Sequence, residues 1–146
     1  MPSIVRNDDT ENCLREILEE ESYDLTPNRG YGETGVDIIA SKDGKEFHIE
    51  VIGHKSSGPA RAKDFYEVFF RAVSRLDDGA SQCVIAMPHL AARGLPARAR
   101  QYGVAWNRIG KAFPELQIWL VNVESKTYEK SSWNQWSPNK AMESDA

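Results

Sequence analysis

Apolar residues recur at helical spacing through Cys13, Leu14, Ile17 and Leu18, which predicts a helix over about 9–22. Asp8, followed three places later by Glu11, is placed to cap its start. YDLT (23–26) reads as a short strand and PNRGYGE as a loop. GVDIIAS (35–41) and EFHIEVIG (46–53) read as two strands joined by KDGK. Asp43-Gly44 is a hairpin signal, because a tight turn needs positive φ and glycine accepts it. SSGP (56–59) breaks the chain. A second helix follows over about 60–76, with Phe65, Phe69, Ala72, Val73 and Leu76 on one side. QCVIAM (82–87) and LQIWLVNV (116–123) are continuous apolar runs of the kind buried on both faces of a sheet. The stretch between them predicts one further helix, from Pro96 onward. The order α-β-β-β-α-β-α-β defines an α/β domain, a mixed β-sheet flanked by helices. The domain is expected to span 1–125. From about Lys126 the chain turns polar, so 126–146 reads as a C-terminal tail, frayed over its last ten residues.

The hairpin carries the chemistry. A two-residue turn pairs residues equidistant from it, so 42 faces 45, 40 faces 47, and Asp37 faces Glu50. Directly opposed residues on a sheet have Cβ atoms roughly 4.5–5.5 Å apart. Both acids sit in runs that are otherwise Val, Ile and Ala. Like charges held this close cost stability, burial raises the cost, and at least one pKa should rise. A divalent cation removes the penalty, and oxygen ligands suit Mg²⁺ or Mn²⁺. Two other arrangements satisfy the same spacing. A three-residue turn would slip the register by one, and both acids would be ordinary charges if they faced water. By strand parity His48, Glu50, Ile52 and His54 share one face, and Phe47, Ile49 and Val51 share the other.

Composition changes the picture in one respect. The chain of 146 residues is 40% hydrophobic and 27% charged, values of a globular domain. Its net charge of −4 is unevenly spread. Residues 1–52 carry 13 acidic and 5 basic side chains, whereas residues 53–112 carry 4 acidic and 10 basic. That basic segment is placed either to meet phosphates or simply to solvate helices. Cys13 and Cys83 read as small buried hydrophobes in a reducing, cytoplasmic setting. No apolar run reaches the roughly 20 residues needed to span a bilayer. No secretory-type apolar stretch opens the sequence, and no zinc spacing, Ser-His-Asp motif or phosphate-binding glycine loop is present; GETG (32–35) is too short.

ENCLREILEEESY (11–23), GVDIIA (35–40) and HIEVI (48–52) together resemble the PD-(D/E)XK nuclease superfamily, in its restriction-endonuclease-like and Holliday-junction resolvase-like branches. The resemblance covers about residues 9–90. It implies the family's α-β-β-β-α-β core, metal ligation by Asp37 and Glu50 with Glu11 at the first helix, a Mg²⁺ or Mn²⁺ cofactor, and DNA as the partner. By analogy with resolvases it also implies a homodimer. The chain departs from the pattern where the family's Glu-x-Lys reads Glu50-Val51-Ile52, and Val36 stands at the proline. Isoleucine neither orients a water nor offsets charge on a phosphate. Replacements for the lysine are His54, Lys55 (if the chain turns at Gly53), and Lys63 or Arg61 reaching in beside Gly35. Otherwise the domain binds nucleic acid or a protein partner without turnover. Trp133 and Trp136 are placed either to stack on bases or to pack back onto the domain edge, and His89 reads as a loop residue.

Overall fold

A computed structural model describes residues 4–27 and 36–138. Helix α1 (Asn7–Glu20) leads into a short strand β1 (Asp24–Leu25), then the hairpin β2 (Ile38–Lys42) and β3 (Lys45–Val51). Helix α2 (Gly58–Ser74) crosses to β4 (Gln82–Pro88). Helices α3 (Leu95–Tyr102) and α4 (Val104–Ala112) precede β5 (Leu116–Asn122) and β6 (Thr127–Ser132). The six strands form one mixed sheet in sequential order. β3, β4 and β5 run parallel at its centre, and the outer pairings are antiparallel.

The turn residues Asp43 and Gly44 both have positive φ, 53° and 79°. This matches a primed hairpin turn, whose twist follows that of the strands. It locks the expected register: Lys42 pairs with Lys45, Ala40 with Phe47, and Ile38 with Ile49. β4 is buried on both faces from Cys83 to Pro88, as its unbroken apolar run requires.

Two apolar layers cover the sheet. Leu14, Ile17 and Leu18 of α1 pack on Ile38, Ile49 and Trp119. On the opposite face Phe65, Val68 and Ala72 of α2, with Trp106 of α4, pack on Ile85 and Ile118. Free Cys13 and Cys83 lie in different layers, so they do not pair. Burial first, then Glu115, pushes the Cys83 thiol up to about 11, which leaves it an inert hydrophobe.

Four expectations are corrected. Helix α1 begins at Asn7, and the side chain of Asp9, not Glu11, reaches back to accept the Arg6 backbone N–H at 3.2 Å. The single helix expected from Pro96 is two, broken at Gly103, whose φ of +49° ends α3. A 3₁₀ segment, His89–Gly94, precedes them, with His89 exposed at its start. The polar stretch from 126 belongs to the domain as far as Trp136. β6 pairs along its whole length with β5, and a 3₁₀ turn, Trp133–Trp136, follows it.

Trp133 explains why the chain folds back. Its side chain is 2% exposed and stacks on Trp106 with ring centroids 3.8 Å apart. Each indole N–H donates to the other tryptophan's carbonyl, at 3.1 and 2.9 Å. Neither buried donor is left unpaired, so both rings contribute their full apolar area. On the other side of β6, Lys130 lies 4.8–5.9 Å from the ring centroids of Trp119, Phe47, Tyr23 and Tyr128. That cation also blunts an edge strand against pairing with another chain. Replacing Trp133 with Ala should cost about 3–5 kcal/mol. Urea unfolding of W133A checks this, and a loss within error of zero would show the segment to be a dispensable tail.

Candidate functional site

Carried one residue beyond the Ile38–Ile49 pair, the hairpin register sets Asp37 opposite Glu50. Both point to the α2 side, with His48 and Ile52 along the same face of β3. Glu50 is 1% exposed. Its Oε2 has no hydrogen-bond partner; Arg75 Nε, at the end of α2, stands 3.9 Å away, too far for one.

This environment moves the acid far from its ordinary range. Burial is the main cause and the charge of Asp37 the second; Arg75, Arg71 and a hydrogen bond from the Asp37 backbone oppose them more weakly. The net result holds the Glu50 carboxyl at about 7. At neutral pH it is poised between its two protonation states. A cation binding there would displace the remaining proton.

Asp37 is half-buried and tied at two points. Its Oδ2 accepts the Val51 backbone N–H at 2.9 Å, completing the ladder where β2 has not yet begun. Its own carbonyl accepts from Arg15 Nη2 at 2.8 Å. Arg15 is a buried arginine of α1, and its Nη1 also donates to the Thr26 carbonyl. Glu11 completes the array by pairing with Arg15 Nε at 2.8 Å. Glu11 is thus linked to the site through Arg15, which fixes the backbone of Asp37. Among the described residues no group of three His, Cys, Asp or Glu side chains gathers in a geometry able to hold a metal ion.

The basic residues that the resemblance offered in place of a lysine have partners or exposure of their own. Lys55 is exposed and paired with Asp64 at 2.9 Å. Lys63 is exposed on α2. Arg61 Nη1 donates to the Lys55 carbonyl at 2.7 Å. His54 bridges to Val5 through both backbone groups, at 2.9 and 2.7 Å. Gly53 permits this crossing, since a Cβ there would lie 2.0 Å from the Val5 carbonyl oxygen. Gly35 lies outside the described residues. His48 is buried and pairs through Nε2 with Glu46 at 2.7 Å.

The residues the sequence did not single out are Arg75 and Arg15. Arg71 lies on α2 and Arg75 caps its end four residues on with helical φ and ψ, so their common face was readable. Which strand residue that face meets was not. A buried arginine in an otherwise charged helix leaves no pattern of its own. No family model matches the chain, and neither does any curated protein.

The raised pKa has a thermodynamic consequence. Glu50 ionises with a pKa of 4.5 when exposed and about 7 in the fold, so the folded chain binds the proton more tightly. Below pH 4.5 both states are protonated and the group is neutral to stability. As pH rises from 4.5 to about 7 the fold loses up to about 3 kcal/mol from this group, and the loss is complete above that. Glu50→Gln should therefore gain stability relative to wild type between pH 4.5 and 8 and show the smallest advantage at the acid end. Parallel urea titrations across that range measure the difference. A pH-independent difference would show that Glu50 titrates normally.

Proposed function

We propose that the chain is a nucleic-acid-acting domain of the PD-(D/E)XK nuclease type, in which Asp37 and Glu50 take up a Mg²⁺ or Mn²⁺ ion and serve metal-dependent cleavage of DNA. One observation carries the reading: a buried glutamate with an unpartnered oxygen faces a second carboxylate across a locked hairpin. Hard divalent cations favour such oxygen donors, and each carboxylate needs the charge they bring. The succession α1-β1-β2-β3-α2-β4, with one acid at the entry to β2 and the other inside β3, is the arrangement expected for this nuclease type. Bound there, the ion would lower the pKa of a coordinated water and offset charge on a phosphate. The chain's own groups set the stage for that chemistry. Arg15 fixes the Asp37 backbone, and Arg71 and Arg75 temper the charge of Glu50.

A second reading has its own observation. The side chain two residues after Glu50 is Ile52, Lys55 is paired with Asp64, and Lys63 is exposed to water. Loss of a positioned electrostatic donor costs roughly 10²–10³ in rate. A domain so reduced would bind nucleic acid, or a protein partner, without turnover.

Titration calorimetry with Mn²⁺ at pH 8 separates these readings when followed by incubation with branched, linear and single-stranded DNA. Wild type should bind one ion per chain, and Glu50→Gln and Asp37→Asn should not. Asparagine retains an oxygen for the Val51 N–H, so the fold is preserved while the charge is removed. Cleavage by wild type but not by D37N supports the nuclease; ion uptake without cleavage supports the binding module. Failure of wild type to bind Mn²⁺ would remove the metal site altogether.

A further inference from the structure

β3 and β4 are parallel neighbours, so their carboxyl ends open on the same edge of the sheet. Crevices outside such strand ends are where open α/β sheets take ligands. A cleft of about 270 Å³ lies there. Ile52, Phe65, Met87 and Leu95 contribute apolar surface, and Arg61, Arg93 and Arg98 contribute charge. Among the described residues the lining includes no acidic one.

The three guanidinium groups come from two separate parts of the chain, the start of α2 and the 3₁₀–α3 segment, and meet only in the fold. Each is held or left available in a different way. Arg61 bonds to a backbone carbonyl, Arg98 lies 4.8 Å over the Phe65 ring, and Arg93 is exposed. His54, on the same wall, is held below its usual pKa by burial and then by the Arg61 charge. Gathering like charges in a concave site costs free energy unless an anion offsets it. Arginine's planar fork fits phosphate oxygens in pairs, and the apolar floor suits a flat organic group beside them.

We propose that this cleft binds a nucleoside phosphate, with Arg61, Arg93 and Arg98 holding the phosphate oxygens and Ile52, Phe65 and Leu95 receiving the nucleoside. The phosphate belongs either to a free nucleotide or to a nucleic-acid strand. The site does not depend on cation uptake by Asp37 and Glu50, although Ile52 lies only two residues beyond Glu50, roughly 7 Å along the strand.

The test compares adenosine 5′-monophosphate with adenosine by titration calorimetry, and a ten-nucleotide single strand by fluorescence anisotropy between 50 and 200 mM salt. Wild type should bind one monophosphate per chain and adenosine at least tenfold more weakly. Arg93→Ala and Arg98→Gln should each weaken monophosphate binding about tenfold. Arg93 is exposed, so R93A tests the idea without threatening the fold, and a melting curve checks R98Q. If a strand is the source, it binds more tightly than the monophosphate, and its log–log salt slope falls by about 0.7 per arginine removed. If the free nucleotide is the source, the order of affinities is reversed. Equal binding of adenosine and its monophosphate, or unchanged monophosphate binding by folded R93A and R98Q, overturns the proposal. Mn²⁺ titration of R93A keeps the two sites apart: retained ion uptake with lost monophosphate binding supports a separate phosphate site. Monophosphate binding by a wild type that takes up no Mn²⁺ would sink the carboxylate reading and leave this one standing.

Discussion

A carboxylate withdrawn from water loses its hydration, and Glu50 loses nearly all of it while facing a second carboxylate. An apolar side chain of similar size would sit in the same place without that cost. The surroundings only partly compensate. Arg75 approaches without forming a hydrogen bond, Arg71 acts from farther off, and one oxygen is left bare. Much of the site's architecture bears on this unfavourable pair. Asp37 is held opposite Glu50 by the register of the hairpin, by a bond from its side chain to β3, and by a buried arginine on its carbonyl. Natural folds retain strain of this kind where it serves a ligand or a reaction.

The two faces of the sheet divide the work. On one, α1 supplies apolar cover and Arg15, which orders the backbone leading into β2. On the other, α2 supplies the cations that temper Glu50 at its far end and Arg61 near its start. The same β3 face therefore runs from an acid-rich region at Glu50 to a base-rich cleft at Ile52. A phosphate with an attendant divalent cation matches that gradient, since it presents negative charge to the arginines and positive charge to the carboxylates.

The hairpin, the helix that follows it and the buried central strands were legible because each rests on local rules. Asp43-Gly44 permits one turn type, period-two alternation assigns faces, and an unbroken apolar run such as 82–87 needs burial on both sides. From these the opposition of Asp37 and Glu50 was one of the arrangements to expect, and the observed register of the hairpin is the one that gives it. The elements misread fail for equally physical reasons. β6 is an edge strand with half its side chains in water, so Thr127–Ser132 looks like a polar tail. Gly103 splits a helix whose hydrophobic spacing continues on either side. The Asp8–Glu11 cap was chemically sound, but the chain begins its helix two residues earlier and uses Asp9.

Sequence alone therefore named the two acids that a two-residue turn would oppose, and the positive φ at Asp43 and Gly44 selected that turn over the slipped register. The sequence also put an isoleucine, Ile52, two residues after Glu50 on the same strand face, where the nuclease type it resembles would have a lysine. Only the tertiary structure decided how deeply Glu50 is buried, that Arg75 rather than Lys55 or Lys63 stands nearest it, and that Arg61, Arg93 and Arg98 share one cleft. Those outcomes depend on how helices from distant parts of the chain pack across the sheet. Packing is set by the summed shape of many side chains, and no local pattern encodes it.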